Sequence, residues 1–263
     1  MMTKKNVAPY IIGINVLVFV IMFITDPSIS STTLINFGAK FNYHIVEGQW
    51  WRFVTAMFLH LDFMHILFNM AALFILSRPL EHLFGKVKFI AIYMLSGIGG
   101  VALSFAFNNS LSAGASGAIF GLLGAHLYLY FRNKDAYRMI FGYDFLLLIG
   151  INLVYGFVNP GIDNLGHLGG LFAGFGAAHL LGINKEPINM KKGLAVFLSI
   201  FIAMSSSVVI KYNQYTGSAN YYYVKVIDLA SKGQNDEAIA ALIEGYTLHP
   251  SSPELQKLIE SLQ

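Results

Sequence analysis

Two side chains in this sequence have the types and surroundings of a nucleophile and its base. Ser116 lies in Gly114-Ala115-Ser116-Gly117-Ala118-Ile119-Phe120-Gly121, at the start of a run that stays apolar to Phe131. His167 lies in a second glycine-rich apolar segment, Asn164-Leu165-Gly166-His167-Leu168-Gly169-Gly170. A serine hydroxyl is a weak nucleophile until a base within hydrogen-bond reach takes its proton, and imidazole suits that task. The small residues offer a way to bring the two together. Gly117, Gly121 and Ala125 recur every four residues, as do Gly166, Gly170 and Gly174. Such stripes let helix backbones approach closely, so two helices packed stripe to stripe bring Ser116 beside His167 near their outer ends. A stripe alone speaks only for helix packing. The histidine adds weight, because an ionisable group inside a membrane span is costly and functional by default.

A third segment, Phe58-Leu59-His60-Leu61-Asp62-Phe63-Met64-His65-Ile66-Leu67-Phe68-Asn69, adds two histidines and an amide. His65 and Asn69 are four apart and share one helical face. Two donors aimed into a bundle suit a developing oxyanion. The competing reading is an interhelical hydrogen bond that holds the bundle together. His60, Asp62 and His65 also admit a metal site, but the His-Glu-x-x-His motif is absent. Asp163, one turn before His167, could orient the imidazole as the acid of a triad does.

The elements that must position these groups are membrane helices. The chain is 56% hydrophobic and 12% charged, with a mean hydropathy of +0.59, which describes a polytopic membrane protein. The net charge of +3 is small and dispersed, so nucleic acid is excluded as a partner. The absence of cysteine removes disulfides, thiolate catalysis and cysteine metal sites. Seven segments have spanning length, roughly 8–25, 60–77, 87–107, 115–131, 141–158, 164–183 and 193–210. Lys4 and Lys5 before the first apolar run resemble a signal peptide. Thr25-Asp26-Pro27 follows instead of a cleavage site, so this run reads as a retained span. The stretch 26–59 carries Trp50-Trp51-Arg52-Phe53 and is expected to be an interfacial, partly helical loop. Taking alternate loops, one side carries Lys4, Lys5, Arg78, Lys86, Lys88, Arg132, Lys134, Arg138, Lys185, Lys191 and Lys192, whereas the opposite short loops around 108–113 and 159–163 carry none. The amino terminus is therefore expected in the cytoplasm and the tail outside the cell membrane.

From about residue 213 the composition becomes that of soluble amphipathic helices. Tyr222, Ala238, Leu242 and Pro250 fall where a tetratricopeptide repeat wants an aromatic, an alanine, a large apolar residue and a proline. One repeat cannot bury a solenoid core. A lone helix hairpin capped by a short helix at Pro253–Leu262 is the expected form, and any helical hairpin is the alternative.

Taken together, these residues resemble the rhomboid family of intramembrane serine proteases. The family's Gly-x-Ser-Gly motif is matched by Gly114-Ala115-Ser116-Gly117, and its histidine in a glycine-rich sixth core helix by His167. Its second-helix pattern is matched by His60, His65 and Asn69, and its Trp-Arg pair by Trp51-Arg52. Glu81 matches an acid near the end of the second helix. The resemblance covers roughly residues 8–183. It implies an all-α polytopic bundle with a six-helix core at 1–183, a linker and seventh span at 184–212, and a soluble tail at 213–263. It implies a Ser116–His167 dyad, an oxyanion site of His65, Asn69 and the Gly114 region, and support from His60 and Phe120. Phe120 stands where the family often has a tyrosine on the histidine ring. No cofactor or metal is implied. The expected partners are transmembrane protein substrates and the bilayer, with the tail open to a protein partner. The rival reading is a catalytically silent relative that binds membrane clients. Such proteins lose the serine or histidine or place proline in the motif, whereas Ser116, His167 and Ala115 stand intact here.

Overall fold

The structure is a computed structural model and describes residues 6–144, 147, 150, 151, 154, 158, 159, 161–184 and 189–260. The span expected over 141–158 lies largely outside the described residues. The elements among the described residues are helices: α1 (Ala8–Thr25), α2 (Ser31–Asn36), α3 (Asn42–Val46), α4 (Arg52–Thr55), α5 (Phe63–Phe84), α6 (Lys86–Phe107), α7 (Ser116–Arg132), α8 (Lys134–Phe141), α9 (Asn164–Leu181), α10 (Met190–Tyr215), α11 (Ala219–Ser231), α12 (Asn235–Leu248) and α13 (Pro253–Glu260). A 3-10 turn at Ala56–Phe58 follows α4. Two compact units result, Met1–Phe41 with Trp51–Val208, and Asn42–Trp50 with Val209–Gln263.

In the first unit, α6, α7 and α9 form the closest-packed part of the bundle. Their contacts are made by glycine. A methyl built on Gly100 of α6 would lie 2.7 Å from the Gly166 carbonyl oxygen of α9 and 3.2 Å from Cα of Gly117 in α7. Methyls on Gly170 and Gly174 would collide with the Gly117 and Gly121 carbonyls. The two expected stripes therefore do face each other, and backbone meets backbone with no side chain between. α1, α5, α6 and α10 are long and apolar enough to cross a bilayer on their own. α7 and α9 turn much of their surface to other helices, which lets them carry glycine where a lipid-facing helix would carry leucine.

Polar caps set the helix starts. Asp62 accepts from the His65 amide at 2.8 Å and begins α5 there, so His60 precedes the helix rather than lying within a span from residue 60. The carboxylate of Glu81, in the last turns of α5, accepts from the Val7 and Ala8 amides at 2.8 and 2.9 Å. It thereby supplies the orphan donors at the start of α1 with acceptors that α1 itself lacks. The first loop contains α2, α3 and α4, in keeping with a partly helical segment. Buried Arg52 donates to the Ile35 and Ala39 carbonyls at 2.9 and 2.7 Å and ties α4 to the end of α2.

In the second unit, α11 and α12 form a hairpin turned at Gly233, whose φ of 76° favours glycine. Tyr222 packs against Gly245, and its hydroxyl donates to Glu244 at 2.8 Å. The hairpin also holds residues 42–50. Tyr221 donates to Glu47 at 2.8 Å, Tyr43 donates to Asp228 at 3.3 Å, and the Tyr43 and Tyr221 rings meet at 5.8 Å. Trp50 stacks on Tyr212 at 5.7 Å.

Candidate active site

Ser116 is the first residue of α7, and His167 lies in the first turn of α9. Ser116 Oγ and His167 Nε2 are 2.9 Å apart, a hydrogen-bond distance between a nucleophile and its base. Four residues after Ser116, one turn along α7, Phe120 stacks on the imidazole at 4.1 Å with an interplanar angle of 10°. That stacking fixes the ring plane without a phenolic hydroxyl. His167 Nδ1 is buried and has no hydrogen-bond partner among the described residues. The sequence allowed Asp163 to orient it, but the structure directs that carboxylate elsewhere. Asp163 caps α9 through the Gly166 amide at 3.0 Å and accepts from the hydroxyls of Ser112, at 2.6 Å, and Ser104. Among the described residues, no acid stands behind the serine–histidine pair.

Gly114 has φ 140°, and its amide donates to the Ala56 carbonyl at 2.9 Å. A methyl there would stand 2.9 Å from Cε1 and 3.0 Å from Nε2 of His65. Both the backbone shape and the space require glycine. This close approach brings the imidazole of α5 to the loop that leads into Ser116. The Leu61 amide points at His65 Nδ1 at 3.4 Å, which assigns the ring proton to Nε2 and aims a donor toward Gly114. Asn69 gives one amide proton to the His65 carbonyl at 2.9 Å, and its second donor remains for another acceptor. His60 is fully buried and packs edge-on against His65 at 5.1 Å, so it braces that ring from behind.

His65, Asn69, Gly114, Ser116 and His167 line one cavity of about 330 Å³. The first-turn amides of α7 are orphan donors at the positive end of a helix dipole. Negative charge developing on an oxygen near Ser116 would meet these amides, His65 and Asn69. The sequence singles out Ser116, His65, Asn69 and His167 by their motifs. It singles out neither Lys40, which holds the loop before Ser116, nor Ser104 and Ser112, which bind the Asp163 carboxylate. Their partners lie far along the chain, and no local motif marks them.

The Rhomboid domain family model matches residues 47–184. The chain is 41% identical to Rhomboid protease GluP of Bacillus subtilis over 73% of its own length and 38% of that protein's. It is 41% identical to RHOMBOID-like protein 6, mitochondrial, of Arabidopsis thaliana over 56% of this chain and 48% of that one. It is 32% identical to Rhomboid-like protease 1 of Toxoplasma gondii over 68% and 64% of the two lengths. The chain therefore spans between about two fifths and two thirds of the length of these relatives. The serine–histidine pair, the glycine-packed helices and the family match over more than half of the sequence agree: this multi-pass membrane protein belongs to the rhomboid family.

Proposed function

We propose that the chain is an intramembrane serine endopeptidase that cleaves peptide bonds in or near transmembrane segments of membrane proteins. The observation that carries this reading is the 2.9 Å contact between Ser116 Oγ and His167 Nε2 inside a cavity lined by His65 and Asn69. In the first step His167 Nε2 takes the hydroxyl proton as Ser116 Oγ bonds to the scissile carbonyl carbon. The carbonyl oxygen becomes an oxyanion opposite the Ser116 amide, His65 and Asn69. The intermediate then collapses. The carbon–nitrogen bond breaks, and the imidazolium returns its proton to the leaving amine. Water hydrolyses the acyl-enzyme by the same route, His167 again serving as base. Peptide and water yield one carboxylic acid and one amine, and no external cofactor enters the balance.

The core over 1–183 carries this chemistry, a seventh span follows in 184–212, and the tail at 213–263 is a tetratricopeptide-like appendage. The amino terminus faces the cytoplasm and the tail the outside of the cell membrane. Two observations support that placement. The outer connection 108–113 has no lysine or arginine, and residues 42–50, which follow the first span, belong to one compact unit with the tail. Segments in one unit share a side of the membrane, which calls for an even number of crossings between them. The tail's surface is then available to a substrate or another protein.

The deciding experiment labels purified protein with a serine-reactive fluorophosphonate and follows cleavage of a model transmembrane substrate. Wild type should label and cleave. Ser116→Ala and His167→Ala should each lose cleavage to nearly the same extent as the double variant, because the pair acts as one unit. Unchanged turnover in Ser116→Ala refutes the protease reading. Substrate binding without labelling or cleavage by wild type favours the catalytically silent relative. A tag after residue 263 that resists protease on right-side-out vesicles refutes the seven-span topology.

A further inference from the structure

We infer that Lys40 is a positioning residue, which from the first loop holds the 108–115 connection and with it Ser116 in the geometry that meets His167. This inference rests on the serine-protease reading above. Lys40 has no exposed surface, although it carries a charge on a long flexible stem. Its ammonium donates to the Asn108 carbonyl at 2.5 Å and to the Ser110 carbonyl at 2.9 Å. Its main chain pairs with Ser112 in both directions, at 2.9 and 3.1 Å. Asp163 grips the same five residues through the Ser112 hydroxyl at 2.6 Å and the Asn108 amide at 3.4 Å. That carboxylate is also the cap of α9, one turn before His167. Two residues past Ser112, the Gly114 amide reaches Ala56, and α7 then begins at Ser116.

The physical case is one of backbone bookkeeping. A loop has no internal ladder to satisfy its carbonyls, so its shape follows the donors it meets. An ammonium taken wholly out of water is tolerated only where acceptors surround it. The two requirements meet at Asn108 and Ser110, and each removes freedom from the other. The loop that delivers the nucleophile is therefore held by a cation, while a carboxylate joins the same loop to the helix of the base. Removing the ammonium leaves two carbonyls without that donor and lets the loop relax. Lys40 does not line the active-site cavity. Its loss should therefore weaken alignment for reaction and leave substrate docking nearly intact.

The test uses full-length protein reconstituted in vesicles, as Lys40→Met and Lys40→Arg. It reads kcat and KM on a model transmembrane substrate, the rate of Ser116 labelling by a fluorophosphonate, and the thermal unfolding midpoint. Lys40→Met should lower kcat by about 10- to 100-fold, the scale set by displacements near 1 Å, with KM changed by less than about twofold. Labelling should slow in step, and Lys40→Arg, which keeps the charge and its donors, should regain most of the rate. A folded Lys40→Met with wild-type kcat overturns the inference. So does a loss confined to KM, or a loss that arginine does not relieve. If Lys40→Met does not fold, Lys40→Gln, which lacks the charge and the reach of the ammonium, replaces it: slower labelling supports the inference and unchanged labelling overturns it. Wild-type protein that neither labels nor cleaves fails before any variant is compared, and it refutes the protease reading itself.

Discussion

Gly100→Ala should separate the serine from the histidine without touching either. The added methyl would lie 2.7 Å from the Gly166 oxygen and 3.2 Å from Gly117 Cα, and these residues are the direct neighbours of His167 and Ser116. Ordinary contact begins near 3.4 Å, so the Gly166 carbonyl must withdraw by at least about 0.7 Å. Backbone on both sides leaves no flexible side chain to absorb the strain. If the withdrawal passes undiminished to the dyad, its 2.9 Å contact opens to roughly 3.6 Å, where it no longer counts as a hydrogen bond. Turnover should fall by about 10- to 100-fold, and overpacking should cost about 1–3 kcal/mol of stability. Gly13→Ala is the control, since a methyl there meets nothing within 4 Å. It should leave both quantities unchanged. The assay is fluorophosphonate labelling of Ser116 beside cleavage of a transmembrane substrate, with thermal unfolding run in parallel. Labelling is informative because a small probe makes little demand on substrate docking. A folded Gly100→Ala that labels and cleaves at the wild-type rate would refute the claim that glycine contact between α6, α7 and α9 sets the dyad distance.

Three further outcomes follow from particular contacts. Asn69→Ala should lower kcat by about 10²–10³ if its free donor serves the oxyanion; an equally active but less stable variant would leave Asn69 as a helix-packing residue only. Glu81→Ala removes the acceptor of one buried and one part-buried amide and should cost about 2–5 kcal/mol, whereas Glu81→Gln, which keeps one acceptor, should cost less; an unshifted unfolding midpoint in Glu81→Ala would discount the cap. In the tail unit, burial and then the Asp228 carboxylate raise the Tyr43 phenol, and burial and then the hydrogen bond to Glu47 raise Tyr221. A phenol raised in the folded state contributes stability that is complete below its unfolded value, about pH 10, and is lost as pH climbs through the folded one. Tyrosinate absorbance against pH should therefore show late-titrating phenols, one fewer in Tyr43→Phe and shifted down in Glu47→Gln; phenols titrating at the ordinary value throughout would contradict the contacts.

Much of the site was legible because its determinants are local. Ser116, His65, Asn69 and His167 each sit in a short pattern whose period matches the helix that carries it, and the small-residue stripes indicate which faces meet. The start of α5 was displaced from the apolar run, because Asp62 caps the helix and leaves His60 ahead of it. Hydropathy alone does not sense a cap. The spacing of Asp163 to His167 leaves an orienting role open beside the dyad. Only the folded loop brings Ser104 and Ser112, 59 and 51 residues earlier, to its carboxylate. Lys40 carries no sequence signal at all, since its acceptors are main-chain carbonyls about 70 residues away. Carbonyls are the same in every sequence, so a side chain that works through them leaves no pattern to read.

The joining of residues 42–50 to the tail has a consequence for how the protein is made. Tyr43 and Glu47 bond to residues 185 and 174 positions later. At about 5–20 residues per second, the ribosome needs on the order of 10–40 s to reach those partners. Throughout that interval the early segment has emerged without them, with Tyr43 and Trp50 lacking the rings they finally pack against. The first loop is thus among the earliest parts to be synthesised and among the last to mature. Interrupted chains that already contain Ser116 and His167 would carry the whole dyad with that loop still unfinished.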